Sequence, residues 1–418
     1  MLSNHEARVL EAIDDTEAVN LLAEAVRIPS ITGTAAESEM QHWCARLLIE
    51  ADLDVDLWQL DLVGLQGMDG FPGTEAPRTE GYGLVGVIGD EGPPALVLQG
   101  HVDVVPTGDL ARWEGNDPFT PRLTGDTLHG RGACDMKAGL IANLAVTRAV
   151  KRSGVRLARP LAVHCVVGEE DGGLGAFATL ARGHTGKAAV ITEPTNGTVI
   201  TANAGALTFQ IEIAGRAAHG ATRQEGVSAV EVFWPVFAAI RQLEASRNSA
   251  LPALFAGNAL PYPIEIGTVR AGDWPSSVPD LLVAQGRMGV RLDEDPADAR
   301  AAFEQALHDI NHPWLRTHPP TVTWPGGQFA SGRLNPGHPL IDEITRAVAD
   351  TTGVTPPAAA APYGSDLRLY SAGGIPSLHY GPGDVRFAHA PREQVDLGEL
   401  RAVIRTLALL TVRRCGVR

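Results

Sequence analysis

Five short segments of this chain carry acidic or imidazole side chains of the kind that hold divalent cations. They are His101 and Asp103 in G-H-V-D-V-V-P, Asp135 in G-R-G-A-C-D-M-K, Glu169 and Glu170 in V-V-G-E-E-D-G-G, Glu193 in I-T-E-P-T, and His389 in F-A-H-A-P. Three of the segments follow apolar runs that read as buried strands, over 94–99, 161–167 and 188–192. In an open α/β sheet the carboxyl ends of neighbouring strands converge on one crevice, so residues placed there meet although far apart in sequence. Gathering several carboxylates in a crevice is costly unless positive charge compensates them, and a pair of divalent metal ions does so directly. Imidazole mixed with carboxylate, with no paired cysteines nearby, suits hydrolytic zinc rather than structural zinc.

Spacing adds to this. His101 and Asp103 are two apart, which puts both on one side of an extended segment and lets Asp103 orient the imidazole. Glu169 and Glu170 are adjacent, so on an extended strand end they point to opposite sides, one toward metal and the other toward substrate. The glycines around Asp135 allow its carboxylate a close approach to two cations. Singly, each residue has an ordinary reading: a strand-end histidine is usually just hydrogen-bonded, Asp103 could cap a turn or helix, and paired glutamates are usually solvated. The joint pattern carries the weight.

These residues need a framework. The apolar spacing predicts helices over 16–27 and 41–51, a Gly/Pro-rich surface loop over 64–83, a strand over 84–88 and a helix over 136–150, so strand and helix alternate through the first 200 residues. Beyond Glu193 the texture changes to alternating stretches at 207–214 and 281–292 around a helical stretch at 228–246, the pattern of a separate α+β unit inserted at 201–317. Helices over 339–352 and 397–412, with a strand over 377–380 leading to His389, return the chain to the first domain. The expected organisation is a catalytic domain of residues 1–200 and 318–418 and an inserted domain of residues 201–317.

The chain has 418 residues, 44% of them apolar, which allows a full core in two domains. A net charge of −15, from 34 basic and 49 acidic residues, opposes nucleic acid or an anionic membrane surface as partner. Four scattered cysteines and a charged N-terminal stretch without the apolar core of a signal peptide suggest a reduced, cytoplasmic protein. No G-x-S-x-G elbow supports serine hydrolysis, and no G-x-G-x-x-G opens a helix after the first strand as a dinucleotide site requires.

Read in order, G-H-V-D-V-V-P, W-E-G-N-D-P-F, G-R-G-A-C-D-M-K, G-E-E-D-G-G, T-E-P-T, G-R-A-A-H-G, G-S-D and A-H-A-P follow one family's series of motifs. The chain resembles the two-zinc metallohydrolases that include acetylornithine deacetylase, succinyl-diaminopimelate desuccinylase, aminoacylase and the glutamate carboxypeptidases, with the acetylornithine deacetylase-like subgroup foremost. The resemblance implies an α/β catalytic domain with a mixed sheet and helices on both faces, plus an inserted α+β sandwich that acts as lid and dimerisation domain. It implies two divalent ions, zinc first with cobalt able to substitute: Asp135 bridging, His101 and Glu193 completing one site, Glu170 and His389 the other. Glu169 is then the general base and Asp103 supports His101. His219 is a further catalytic donor reaching in from the lid of a partner subunit in a homodimer, and Arg287, Gly364 and Ser365 receive the substrate carboxylate. The expected activity is removal of an acetyl- or succinyl-type acyl group from the α-nitrogen of an amino acid, with dipeptidase or carboxypeptidase action as the alternative.

Overall fold

The computed structural model describes every residue except Met1, Asp90 and Glu91. Helix α1 (Asp15–Arg27) starts where the Asp14 side chain accepts the Glu17 N–H, and it buries Ala18, Leu21, Leu22, Ala25 and Val26 along one stripe. Helix α2 (Ala35–Glu50) begins six residues before the 41–51 pattern that announces it. Its buried Gln41 donates to the carbonyls of Tyr82 and Cys165, fastening the helix to two strands at once.

Strands β1 (Asp54–Gln59), β2 (Tyr82–Ile88) and β3 (Leu96–His101) come next, followed by helix α3 (Ala138–Ser153), β4 (Leu161–Val166), helix α4 (Leu174–Ala181) and β5 (Ala189–Pro194). The short helix Leu62–Gln66 runs into the start of the 64–83 stretch.

The chain then enters a second sheet. Strands β6 (Gly205–Ala214), β7 (Ile264–Ala271) and β8 (Leu281–Val290) pair antiparallel in the order β7–β8–β6. Helices α5 (Ala229–Arg247) and α6 (Pro296–His308) cover this sheet, and Phe209 meets Phe303 at 4.6 Å in a core shared with Ile211, Val236 and Leu307. Thr321–Thr323 and Gln328–Phe329 also pair with β6, so the second unit continues past Thr317. After it the chain forms α7 (Pro339–Thr352), α8 (Leu367–Ala372), β9 (Ser377–Gly381) and α9 (Leu397–Cys415).

In the main sheet the order β1–β2–β4–β3–β5–β9 is not the chain order. The β1–β2 and β2–β4 pairs are antiparallel, whereas β4–β3, β3–β5 and β5–β9 are parallel, so the sheet is mixed. Alternate residues face opposite layers: Leu96 and Leu98 join the core under α3 and α9, while Val97 joins the core of Ala176 on α4 and Leu367 and Tyr370 on α8. A strand apolar on both faces must lie between two helical layers, which explains its unbroken apolar run.

Two compact units result: residues 2–201, 333–359 and 366–418, and residues 202–332 with 360–365. No described helix is long and apolar enough to cross a membrane.

Candidate metal centre

The parallel register sets Val97 against Ala189 and Gln99 against Ile191, so the next outward step levels His101 with Glu193. The His101 ring is buried, with its Nε2 3.8 Å from Glu193 Oε1 and 3.2 Å from Asp135 Oδ1. Its other nitrogen, Nδ1, lies 2.9 Å from the Asp103 carbonyl oxygen, while the Asp103 carboxylate stands 3.7 Å away. The imidazole is thus oriented by the Asp103 backbone. The carboxylate instead accepts the backbone N–H groups of Glu169 and Glu170 and the Thr32 hydroxyl.

Asp135 lies in an irregular turn, Ala133–Lys137, that leads into α3. Gly132 makes the turn feasible: its φ is +79°, and a Cβ there would stand 2.7 Å from Val104 Cγ1. Glu393 grips the turn, accepting the N–H groups of Cys134 and Asp135 while pairing with Arg131. Lys137 is fully buried and donates from Nζ to the carbonyls of Ala25 and Ile28 at the C-terminal end of α1. Burial lowers its pKa to about 7.

Glu169 and Glu170 do not continue an extended strand. β4 ends at Val166 and the pair occupies a turn in which the Gly172 N–H returns to the Glu169 carbonyl. Their side chains diverge because the turn rotates them. Glu170 reaches His389, whose Nε2 is 3.1 Å from Glu170 Oε2 and 3.5 Å from Asp135 Oδ2. Glu169 is buried, and its Oε1 has no partner. His389 follows the turn Val385–Phe387, has φ +58° and keeps 53% of its side chain exposed.

Four carboxylates therefore share a small volume with two imidazoles. Burial, reinforced by the neighbouring Glu193, raises Glu169 well above the carboxylate range, and burial with the Asp135 charge does the same to Glu193. Burial also acts to raise Asp135, but hydrogen bonds from His101 and His389 outweigh it and hold this group below its ordinary value. The Glu170 charge, working against burial, lifts His389 to about 11. Such a cluster is short of positive charge. Its donors are the hard oxygens and imidazole nitrogens that zinc-type ions take, and the ligand-bearing atoms of His101, Asp135 and Glu170 lie within 4.8 Å of one another. The residues fit a pair of divalent ions.

The remaining predicted residues belong to the second unit. His219 is exposed on a turn, its Nδ1 accepting the Ala221 N–H at 3.1 Å. Arg287 of β8 donates to the Pro362 carbonyl at 3.3 Å, which places it near the segment of Gly364 and Ser365. Ser365 is fully buried, and a Cβ on Gly364 would stand 2.6 Å from Phe329.

Several residues that hold the cluster escaped sequence reasoning. Glu393 and Arg131 are one case; another is the buried Asp366, which accepts from Gln99 and is raised to about 6 by burial. Asp366 closes G-S-D and Arg131 lies in G-R-G-A-C-D-M-K, both motifs already in view, while Glu393 stands two residues past F-A-H-A-P.

Residues 97–413 match the description of peptidase family M20/M25/M40, well over half of the chain. The chain is 26% identical over 383 residues to N-formyl-4-amino-5-aminomethyl-2-methylpyrimidine deformylase of Bacillus subtilis (strain 168), covering 86% of this chain and 85% of the relative. It is 27% identical over 395 residues to acetylornithine deacetylase of Pectobacterium carotovorum subsp. carotovorum (strain PC1), covering 90% and 92%. Among solved structures, a di-peptidase from Saccharomyces cerevisiae aligns with TM-score 0.78 at 15% identity over 99% of each chain. The family includes dinuclear metal-binding peptidases, and with a mixed sheet between helical layers bearing this ligand cluster, the chain belongs to peptidase family M20/M25/M40, whose members hydrolyse amide bonds.

Proposed function

We propose that the protein is a metal-dependent amidohydrolase that removes an acyl group, of acetyl or succinyl type, from the α-nitrogen of an amino acid. The observation that carries this reading is the convergence of His101, Asp135, Glu170, Glu193 and His389 beside Glu169, a buried carboxyl with a free oxygen. Asp135 would be shared by the two ions, His101 and Glu193 would hold one, and Glu170 and His389 would hold the other, with zinc the first choice and cobalt able to substitute. Bound there, the two cations would supply Lewis acidity toward the carbonyl oxygen and toward the attacking water. Glu169 takes the proton from that water and delivers it to the leaving nitrogen, a task suited to a buried carboxyl with an oxygen that no protein group occupies. Asp103 keeps the Glu169 turn and the His101 ring in register through its carboxylate and carbonyl.

Arg287 supports the choice of substrate. It forms no ion pair among the described residues and its pKa is lowered by desolvation, so a substrate carboxylate would satisfy it, with Gly364 and Ser365 nearby on the same unit. A dipeptide presents the same carboxylate, which keeps dipeptidase or carboxypeptidase action as the second reading. His219 donates to the oxyanion in a homodimer. Strand β7 is an edge strand with Val269 exposed, and α5 exposes Trp234, surfaces suited to a second copy. Four free, buried cysteines agree with a cytoplasmic setting.

The test is a panel of N-acetyl, N-succinyl and N-formyl amino acids against dipeptides, ranked by kcat/KM with the zinc-loaded protein. The acylated amino acids should lead and chelation should abolish turnover. A preparation stripped of metal that keeps full activity refutes the reading.

A further inference from the structure

The turn bearing Glu169 and Glu170 is fastened by an arginine that hydrogen-bonds to none of the candidate ligands. Arg78 lies in the stretch that reads in sequence as a surface loop, yet its side chain is only 4% exposed. Its guanidinium grips Asp171 with two bonds, Nη1 to Oδ2 at 2.9 Å and Nη2 to Oδ1 at 3.1 Å, and Glu37 with two more, at 3.2 and 3.3 Å. Asp171 follows Glu170 directly. Glu37, in the first turn of α2, also accepts the N–H of Gly168, the residue before Glu169, at 3.0 Å.

The turn is thus held on both flanks by one cation. Asp171 further accepts the N–H groups of Glu75 and Ala76, so the 72–76 segment is seated on the same turn. The fit leaves no spare room: a Cβ on Gly168 would stand 2.7 Å from Arg78 Nη2, and one on Gly172 only 2.1 Å from the Gly73 carbonyl oxygen. Among the described residues no other cation hydrogen-bonds to Glu37 or Asp171.

We propose that Arg78 is a positioning residue whose double fork, between Glu37 and Asp171, sets where the Glu169 carboxyl stands. This rests on the reading of Glu169 as the base. The fork matters because a planar guanidinium fixes both carboxylates in direction as well as distance, whereas an ammonium supplies charge without that geometry. Arg78→Lys therefore keeps the charge balance of the buried network and releases only the geometry.

The experiment compares the zinc-loaded full chain with Arg78→Lys and Asp171→Asn, following zinc content, amide hydrogen exchange at 168–170, and kcat and KM on the best substrate of the panel. Expected are unchanged zinc content, faster exchange at 168–170, KM within about threefold and kcat lowered about 10- to 100-fold, the scale on which a small displacement of a reacting group acts. Asp171→Asn, which leaves the Arg78–Glu37 pair in place, should give the same pattern and decides the matter if Arg78→Lys lacks a cooperative thermal transition. Unchanged exchange, or kcat within about twofold of the parent in a folded variant, overturns the proposal. If the parent hydrolyses nothing in the panel, the amidohydrolase reading fails by itself, while the exchange data still decide whether Arg78 fastens the turn.

Discussion

The two halves of the ligand cluster are built differently. His101 and Glu193 stand on adjacent parallel strands, buried, their separation dictated by strand register. Glu170 and His389 stand on turns, and His389 is half exposed with a left-handed backbone that costs a non-glycine residue on the order of 1 kcal/mol. The strand-borne half is preorganised by the core. The turn-borne half depends on side chains that fasten it, Asp103 and Arg78 for Glu170, and Glu393 four residues beyond His389. One side of the centre is thus rigid by construction and the other by attachment.

The sharpest way to break this picture is through Glu169, the proposed base between the halves. Glu169→Gln should keep both metal ions and lower kcat by about 10²- to 10⁴-fold, the range of a lost general base, measured by steady-state kinetics beside elemental analysis. A variant with ordinary kcat removes Glu169 from its role.

Next in size is the contrast between the two imidazoles. His101→Ala should lose about one ion per chain and lower thermal stability by a few kcal/mol, because it empties a buried position that Asp135 and Glu193 share. His389→Gly should also lose about one ion per chain but leave the melting temperature of the metal-free protein equal to or above that of the metal-free parent, since glycine accepts the left-handed backbone. Metal titration and calorimetry of the metal-free proteins check both, and equal losses of stability in the two variants would erase the asymmetry.

A third test uses histidines of the same sheet outside the cluster. Burial, with the charge of His184 second, lowers His164 to about 3, and burial lowers His379 to about 3, against an ordinary value of 6.5. A lowered folded-state pKa means the unfolded chain binds more protons between those values. The stability these groups contribute is therefore complete above pH 6.5 and falls as the pH drops toward 3. Glu37, raised to about 7 mainly by burial and then by the Asp103 charge, acts in the opposite sense: its contribution is present below pH 4.5 and lost as the pH rises through 7. Melting curves from pH 7 to pH 4 should show the acid loss, up to a few kcal/mol, and His164→Gln should flatten it. A slope unchanged in that variant assigns the loss elsewhere.

The smallest effects belong to the second unit. His219→Ala should lower kcat about 10- to 100-fold without changing metal content, and Val269→Lys should shift the mass in solution toward a monomer by light scattering. A monomeric parent protein removes the basis for both.

Much of this was legible in sequence because the relevant residues end strands whose apolar runs announce themselves. β3 and β5 were placed within two residues at either end, and His101 and Glu193 came with them. Strand order was not legible, since β4 lies between β2 and β3 through pairings that no local pattern encodes. Turns hid the most. Glu169 and Glu170 diverge through a turn rather than a pleat, and the 64–83 stretch looks solvent-facing because its Gly and Pro content signals only irregular backbone. Arg78 is a charged residue in such a stretch, and its partners lie 41 and 93 positions away, so only the folded chain reveals that it is buried.

Glu393 ties the His389 segment to the backbone of Asp135 with only three residues between His389 and the anchor. Even fully stretched, that leash spans no more than ~14 Å. On the proposed ligand set, an imidazole that lets go of its ion in exchange with solvent would therefore stay close to the Asp135 carboxylate, and reloading would be a local search instead of a refolding event.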